Sequence, residues 1–124
     1  MEKKPQILLV DDSKETLDGL KSFLDKNYEV YTACNGLEGL KAFEGNEKKP
    51  DLVITDLVLP LISGFGLISL LKQQSPQTPV IAMTGCGKHP SELAVEAKAD
   101  VILMKPFELE DLDRSVSNLL SVKR

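Results

Sequence analysis

The segment Asp51–Ile68 reads DLVITDLVLPLISGFGLI. Its first apolar run, Leu52–Thr55, is short and rich in β-branched residues, and it shows no polar alternation, a pattern typical of a strand buried on both faces. A carboxylate, Asp56, follows directly, and helical spacing of apolar residues begins at Leu67. The segment therefore predicts a strand, a loop that begins with an aspartate, and a helix.

The same order of a short apolar run and a longer helical segment recurs along the whole chain, which predicts five βα units around a parallel sheet, a (βα)5 fold of the α/β class. Three of the runs, ILLV, LVIT and VILM, are apolar throughout and are predicted to be central strands. A length of 124 residues suits one domain, which we expect to span residues 1–124. The predicted strands are Gln6–Val10, Tyr28–Ala33, Leu52–Thr55, Val80–Thr84 and Val101–Met104.

Helical periodicity follows each predicted strand. Ser13 is the expected N-cap of the first helix, and Asn35-Gly36 precedes the second. The third helix is predicted to end before Pro76, and the fourth to begin at Pro90. The fifth helix is predicted to bury one stripe of apolar residues, which comprises Leu109, Leu112, Val116, Leu119 and Leu120.

Charge and composition exclude several classes of protein. The formal net charge of −4 argues against direct binding to nucleic acid. Apolar runs are several-fold shorter than the roughly 20 residues that span a bilayer, and no signal-peptide core is present, so we expect no membrane insertion and a cytoplasmic location. Cys34 and Cys86 lack the spacing of a metal or redox pair and are predicted to be reduced thiols. The single histidine, His89, precedes Pro90 and is expected to have a loop or capping role.

Polar residues lie where four of the predicted strands end. Asp11 and Asp12 follow the first strand, Asp56 follows the third, Thr84 ends the fourth and Lys105 follows the fifth. The carboxyl ends of strands in an open parallel sheet face one crevice, where ligands bind. Each aspartate alone is also compatible with a helix cap or a turn. Turn chemistry, however, does not require these five groups at the ends of four separate strands.

Three carboxylates in one crevice repel one another unless a cation offsets their charge. Because only oxygen ligands are offered, Mg²⁺ is the natural candidate. A carboxylate beside Mg²⁺ can attack phosphorus and form an acyl phosphate. Such a site also needs donors and cations directed at the phosphoryl oxygens, and Thr84 and Lys105 would supply them.

The chain resembles the receiver domain of two-component response regulators over nearly its whole length. The resemblance rests on ILLVDDS at residues 7–13, the segment at 51–68, PVIAMTG at 79–85 and LMKPF at 103–107. It also rests on the spacing of the polar positions and on the local motif Asp56-x-x-x-Pro60-x-x-x-Gly64. The family resemblance implies a doubly wound, flavodoxin-like sheet with strand order 2-1-3-4-5.

The resemblance also implies a role for each polar position. Asp56 would be the phosphoacceptor, with Mg²⁺ (or Mn²⁺) bound directly by Asp12 and Asp56, mainly through water by Asp11, and by the backbone carbonyl of Val58. Thr84 would be the switch hydroxyl and Lys105 the phosphate contact, with a cis peptide bond between Lys105 and Pro106.

Three departures from the family pattern stand out. Ile102 occupies the position of the usual switch aromatic, so we expect no aromatic-coupled switching. Lys98 replaces the usual glycine before Ala99-Asp100, which suggests a different turn. Val58 and Cys86 occupy positions that in the family tune the lifetime of the phosphoryl group, and Cys86 is expected to be a small loop filler.

The function implied is a regulatory switch and not an enzyme. A sensor histidine kinase or histidine phosphotransfer protein would supply the phosphoryl group. Partners would read the face built from the fourth predicted helix, the fifth strand and the fifth helix. One alternative is a phosphorylation-independent pseudo-receiver, which only Ile102 favours. Another is an aspartyl-phosphate phosphohydrolase, which Asp11-Asp12-Ser13 disfavours because such enzymes carry Asp-x-Asp.

Overall fold

A computed structural model describes residues 3–45, 47–85, 92 and 96–123, and it contains one five-stranded parallel sheet. The strand order is β2-β1-β3-β4-β5, which confirms the doubly wound fold. The predicted strands agree with the observed ones to within one residue at each end. The strands are β1 (Gln6–Val10), β2 (Glu29–Ala33), β3 (Leu52–Asp56), β4 (Val80–Thr84) and β5 (Val101–Met104).

The helices are α1 (Lys14–Leu24), α2 (Gly36–Gly45), α3 (Gly64–Gln74) and the C-terminal helix (Leu109–Lys123). Ser13 caps α1 as predicted, because its hydroxyl accepts the Thr16 N–H at 3.2 Å. Ser63 caps α3 in the same way.

Part of the predicted fourth helix lies outside the described residues. Residues 92, 96 and 97 are helical. Residues 86–91 and 93–95 are not described, so the predictions for Cys86, His89 and the start at Pro90 are not tested. Among the described residues, the helices are too short or too polar to cross a membrane.

The sheet separates two layers of buried apolar side chains, because alternate residues of each strand point to opposite faces. The first layer lies beneath α1 and the C-terminal helix and includes Ile7, Leu9, Leu17, Leu24, Ile54, Leu112 and Val116. The second layer lies beneath α2 and α3 and includes Leu8, Val10, Phe43, Val53, Leu67, Ile68 and Leu71. The predicted stripe of the last helix is buried at its centre, but Leu109 is 42% exposed.

One strand prediction was wrong. The run VILM, β5, lies at an edge of the sheet and is only partly buried, whereas β4 is central and fully buried. The run is apolar because both of its faces pack on the core: Val101 and Leu103 contact the first layer, and Ile102 and Met104 contact the second. Burial on both faces therefore does not require a central position.

The turn before β5 keeps a glycine-like backbone. Lys98 has a φ of 61°, in the left-handed region that glycine adopts freely. The expectation of a different turn at this position is therefore not supported. Lysine accepts the same conformation at a cost of about 1 kcal/mol.

Candidate functional site

Three carboxylates meet at the carboxyl edge of the sheet. Val10 of β1 pairs with Thr55 of β3, so the residues that follow them, Asp11 and Asp56, lie side by side. Asp11 is 1% exposed and Asp56 8%, whereas Asp12 is exposed. One carboxylate oxygen from each of the three aspartates lies within 4.8 Å of the others. The structure thus brings together the three aspartates that the sequence predicted.

Backbone turns fix the orientation of the two buried carboxylates. Asp11 Oδ1 accepts the N–H of Ser13 at 2.9 Å, and Asp56 Oδ1 accepts the N–H of Val58 at 3.0 Å. Both aspartates form the same local turn, in which a side chain accepts the N–H two residues later. Their Oδ2 atoms are therefore directed toward a shared third group.

That third group is the ammonium of Lys105. Its Nζ lies 2.8 Å from Asp56 Oδ2 and 3.0 Å from Asp11 Oδ2. Burial by itself would lower the pKa of Lys105, but the hydrogen bonds and charges of Asp56 and Asp11 outweigh it and raise the pKa. Lys105 therefore stays protonated at neutral pH. The Lys105–Pro106 peptide bond is cis, as the resemblance implied.

Thr84 ends β4 beside the acidic cluster and is fully buried. Asp56 pairs in register with Met83, which places Thr84 one residue further along the neighbouring strand. The carbonyl of Thr84 accepts the backbone N–H of Lys105 at 2.8 Å. Thr84, predicted to supply the switch hydroxyl, and Lys105, predicted to contact phosphate, are thus linked by a backbone hydrogen bond between the ends of β4 and β5.

The loop between β3 and α3, residues 57–63, is held at both ends. At its start, the Leu57 N–H donates to the Met83 carbonyl at 3.0 Å, and at its end the Gly64 N–H donates to the Leu57 carbonyl at 2.9 Å. A Cβ on Gly64 would lie 2.1 Å from the carbonyl oxygen of Asp56, so no other residue fits there. This contact explains the glycine of the motif that begins at Asp56. The loop also carries Val58, whose side chain is 69% exposed.

Two site features were not predicted from the sequence. The contact between Lys105 and Asp11 joins residues 94 positions apart, and the lysine was predicted only to meet phosphate. Gly36, predicted only to precede the second helix, packs against the β3–α3 loop. The signal in the sequence would have been the glycine at the start of a predicted helix, because glycine is a poor helix former.

The donor set fits a hard divalent cation. It consists of carboxylate oxygens, and three carboxylates against one ammonium leave an excess of negative charge. Mg²⁺ prefers such oxygen ligands and retains waters that a phosphoryl oxygen can replace. The acidic cluster is therefore suited to hold Mg²⁺.

Comparison with known proteins agrees with this geometry. The profile of the response regulator receiver domain matches residues 7–117. Chemotaxis protein CheY of Halobacterium salinarum is 32% identical over 118 residues, covering 94% of this chain and 97% of that protein. Transcriptional regulatory protein PrrA of Mycobacterium tuberculosis is 32% identical over 118 residues, covering 94% of this chain and 50% of that protein. A CheY-like receiver domain structure from Methanospirillum hungatei gives a TM-score of 0.89 at 30% identity, covering 98% of this chain and 97% of that one.

The fold and its acidic edge define a signalling domain of two-component systems. The chain belongs to the response regulator receiver domain family. Members of this family are regulatory, accept a phosphoryl group and bind Mg²⁺ at an acidic pocket. The chain spans 12% of a sensor histidine kinase and about half of several transcriptional regulators that it also matches.

Proposed function

We propose that this chain is a phosphorylation-controlled switch in which Asp56 accepts a phosphoryl group from the phosphohistidine of a sensor histidine kinase or a histidine phosphotransfer protein. One observation carries the proposal: the Asp56 carboxylate lies within 4.8 Å of two other carboxylates and 2.8 Å from an ammonium. The described elements all pack on one sheet, which supports treating residues 1–124 as a single receiver domain.

Asp11, Asp12 and Asp56, together with the backbone carbonyl of Val58, would hold Mg²⁺ (or Mn²⁺). When bound, the cation offsets the charge of the carboxylates and of the incoming phosphoryl oxygens. Asp12 is the exposed member of the cluster, so its carboxylate is accessible to a hydrated ion from solution. Asp11 and Asp56 are already oriented by the backbone, so binding requires little rearrangement of their side chains.

In the transfer step, a carboxylate oxygen of Asp56 forms a bond to phosphorus. The bond between phosphorus and the imidazole nitrogen of the donor breaks, and its electron pair stays on that nitrogen. Lys105 offers a full positive charge 2.8 Å from Asp56 Oδ2, within reach of a phosphoryl oxygen attached to Asp56. Its ammonium therefore stabilises the charge that arrives with the group. Slow attack of water on the acyl phosphate would restore the free carboxylate.

We propose that the signal leaves the site through Thr84. Its hydroxyl would hydrogen-bond the phosphoryl group, and its carbonyl already holds the backbone of Lys105 at 2.8 Å. A shift of Thr84 would therefore reach both the residues after β4 and the start of the segment after β5. Partners would read the change on the face formed by the fourth predicted helix, β5 and the C-terminal helix.

The proposal is tested by incubating the protein with acetyl phosphate and Mg²⁺ and measuring its intact mass. We expect one added phosphoryl group on the wild type and none on Asp56→Asn. Asp51→Asn is the matched control, because Asp51 precedes the same strand but binds the Gln6 N–H at 2.8 Å, remote from the site. It should be labelled like the wild type.

The alternatives give different results in the same assay. A wild-type chain that takes up no phosphoryl group would be a phosphorylation-independent interaction module. Sustained turnover of a general phosphate ester would identify a phosphohydrolase. Labelling of Asp56→Asn at the wild-type level would show that another residue is the acceptor.

A further inference from the structure

The first residue of α2, Gly36, has no room for a side chain. A Cβ placed on it would lie 1.8 Å from the carbonyl oxygen of Ile62 and 2.6 Å from its carbonyl carbon. The Gly36 N–H donates to the carbonyl of Pro60 at 3.3 Å. Gly36 does not have a positive φ, so space, and not backbone conformation, is what requires glycine here. The start of α2 is thus in direct backbone contact with the β3–α3 loop.

The contacted part of the loop is strained. The Ile62 N–H donates to the Pro60 carbonyl at 2.9 Å, which closes a three-residue turn with Leu61 at its centre. Leu61 has a φ of 72°, so this is the γ-turn of positive φ, which is rare and costly for a residue other than glycine. Leu61 is 74% exposed, so packing of its own side chain does not hold the turn in place. The turn is held instead by the Gly36 N–H, which donates to the same Pro60 carbonyl, and by the partly buried side chain of Ile62, which packs on the second layer.

From these contacts we propose that Gly36 is a positioning residue for the phosphoryl-acceptor site, acting through the turn at Leu61 on Val58; the inference rests on the proposed function. The loop is pinned at Leu57 and at Gly64 by backbone hydrogen bonds. A displacement imposed at Ile62 is therefore taken up between these two ends, in residues 58–63 of the loop. This segment begins with Val58, whose N–H orients the Asp56 carboxylate at 3.0 Å.

Replacing Gly36 by alanine forces the Ile62 carbonyl and the start of α2 apart, because contacts of a real Cβ shorter than 3.0 Å essentially never occur and this one starts at 1.8 Å. The distance between the loop and the start of α2 must therefore grow by more than 1 Å. Misplacement of about 1 Å in a catalytic group can cost about 100-fold in rate. For Gly36→Ala we expect the Kd for Mg²⁺ to rise, and the labelling rate with acetyl phosphate to fall, each by about 10- to 100-fold.

The matched control is Gly45→Ala, because Gly45 ends the same helix and a Cβ there would meet nothing within 4 Å. The first readout is the amide NMR spectrum without metal, in which Gly36→Ala should shift the Val58 and Leu61 signals and Gly45→Ala should not. The second readout is the Kd for Mg²⁺, followed by the same signals. A residue with only a structural role would lower the melting temperature without changing the Kd of the folded protein.

A rescue variant keeps the inference testable if Gly36→Ala does not fold. Leu61→Gly allows the turn to relax without strain, so Gly36→Ala/Leu61→Gly should bind Mg²⁺ more tightly than Gly36→Ala alone. If Gly36→Ala alone is unfolded, the double variant is compared with Leu61→Gly. The Kd of the double variant for Mg²⁺ should then be at least threefold higher than that of Leu61→Gly. An unchanged Kd and an unshifted Val58 amide in that comparison would overturn the inference. If the wild type itself takes up no phosphoryl group, the proposed function fails, and the Val58 amide shift still reports separately on the contact.

Discussion

Replacement of Lys105 by methionine removes the ammonium that bridges two buried carboxylates. Two charge-assisted hydrogen bonds, at 2.8 and 3.0 Å, are lost. Each such bond contributes about 1.5–3 kcal/mol. The full sum does not apply, because the Lys105 side chain is 29% exposed and Asp11 and Asp56 keep their backbone donors. We expect the metal-free variant to lose about 2 kcal/mol of unfolding free energy, or roughly 8 °C in Tm.

Mg²⁺ should reverse much of this loss. In the wild type the ammonium contacts the Oδ2 atoms of Asp11 and Asp56, and removing it leaves three carboxylates without a cation. We therefore expect saturating Mg²⁺ to raise the Tm of Lys105→Met by more than it raises the Tm of the wild type. Thermal unfolding followed by circular dichroism, with EDTA or Mg²⁺, measures both shifts. Equal Mg²⁺-induced Tm shifts in the two proteins would refute the idea that Lys105 and the cation bind the same carboxylates.

The control for this experiment is Lys21→Met. Lys21 also forms an ion pair at 2.8 Å, with Asp25, but both side chains are more than 40% exposed. Exposed helical pairs of this kind contribute about 0.5 kcal/mol or less. The control should lose under 2 °C in Tm, with no dependence on Mg²⁺. A metal-free Lys105→Met as stable as Lys21→Met would show that the buried ion pairs do not stabilise the fold.

The stability difference between the wild type and Lys105→Met is also expected to depend on pH. The folded pKa of Lys105 is raised, so its stabilisation is fully present below the unfolded pKa of about 10.4 and is lost as the pH rises through the higher folded value. The stability difference between the wild type and Lys105→Met should therefore stay constant from pH 7 to about pH 10. The difference in unfolding free energy should decrease only above about pH 10. Urea unfolding of both proteins at a series of pH values measures this difference, and a decrease near neutral pH would contradict the raised pKa of Lys105.

Four further predictions concern single positions. Asp12→Ala should abolish Mg²⁺ binding by calorimetry while leaving the Tm unchanged or raised, because one of three like charges is removed. Ile102 is packed on the second layer and should keep its rotamer in methyl NMR when beryllofluoride is added; a rotamer change would restore it as a switch residue. Lys98→Gly should stabilise the fold by up to about 1 kcal/mol in urea unfolding, since its φ of 61° suits glycine. The hydrogen bond from Cys34 to Glu38 raises the thiol pKa, so peptide mapping should show alkylation of Cys34 shifted to higher pH than in Glu38→Gln.

Local sequence patterns predicted the sheet well. Ile7–Val10 and Leu52–Thr55 are largely apolar because helices cover both of their faces, and that physical requirement appears directly in the residue types. The position of a strand within the sheet was less accessible. Val101–Met104 meets the same requirement at an edge, so composition alone does not distinguish the edge from the centre.

The convergence of the site residues was also predictable, because the ends of parallel strands share one edge. What composition could not supply was the contact pattern within the site. The Lys105–Asp11 ion pair depends on the strand order and registers that connect β1 to β5 through β3 and β4, and the turn at Leu61 contacts a helix that starts at Gly36. The ion pair and the turn each depend on segments that are far apart in the chain. A leucine in the sequence also gives no indication of a positive φ, which is typical of glycine. The roles of Asp12 and Val58 as ligands stay predictions.

The division of the core into two layers has a consequence for how such a domain can diversify. Ile7 and Leu8 are neighbours in the chain, yet their side chains belong to different layers on opposite sides of the sheet. Substitutions that lie more than about 7–10 Å apart and share no packing partners combine almost additively in their effects on stability. Substitutions in the layer beneath α1 and the C-terminal helix can therefore accumulate without compensating substitutions in the layer beneath α2 and α3. In this way the surface of α1 and the C-terminal helix can change during evolution and acquire a new binding specificity. The side of α2 and α3, which carries the loop after Asp56, can stay unchanged.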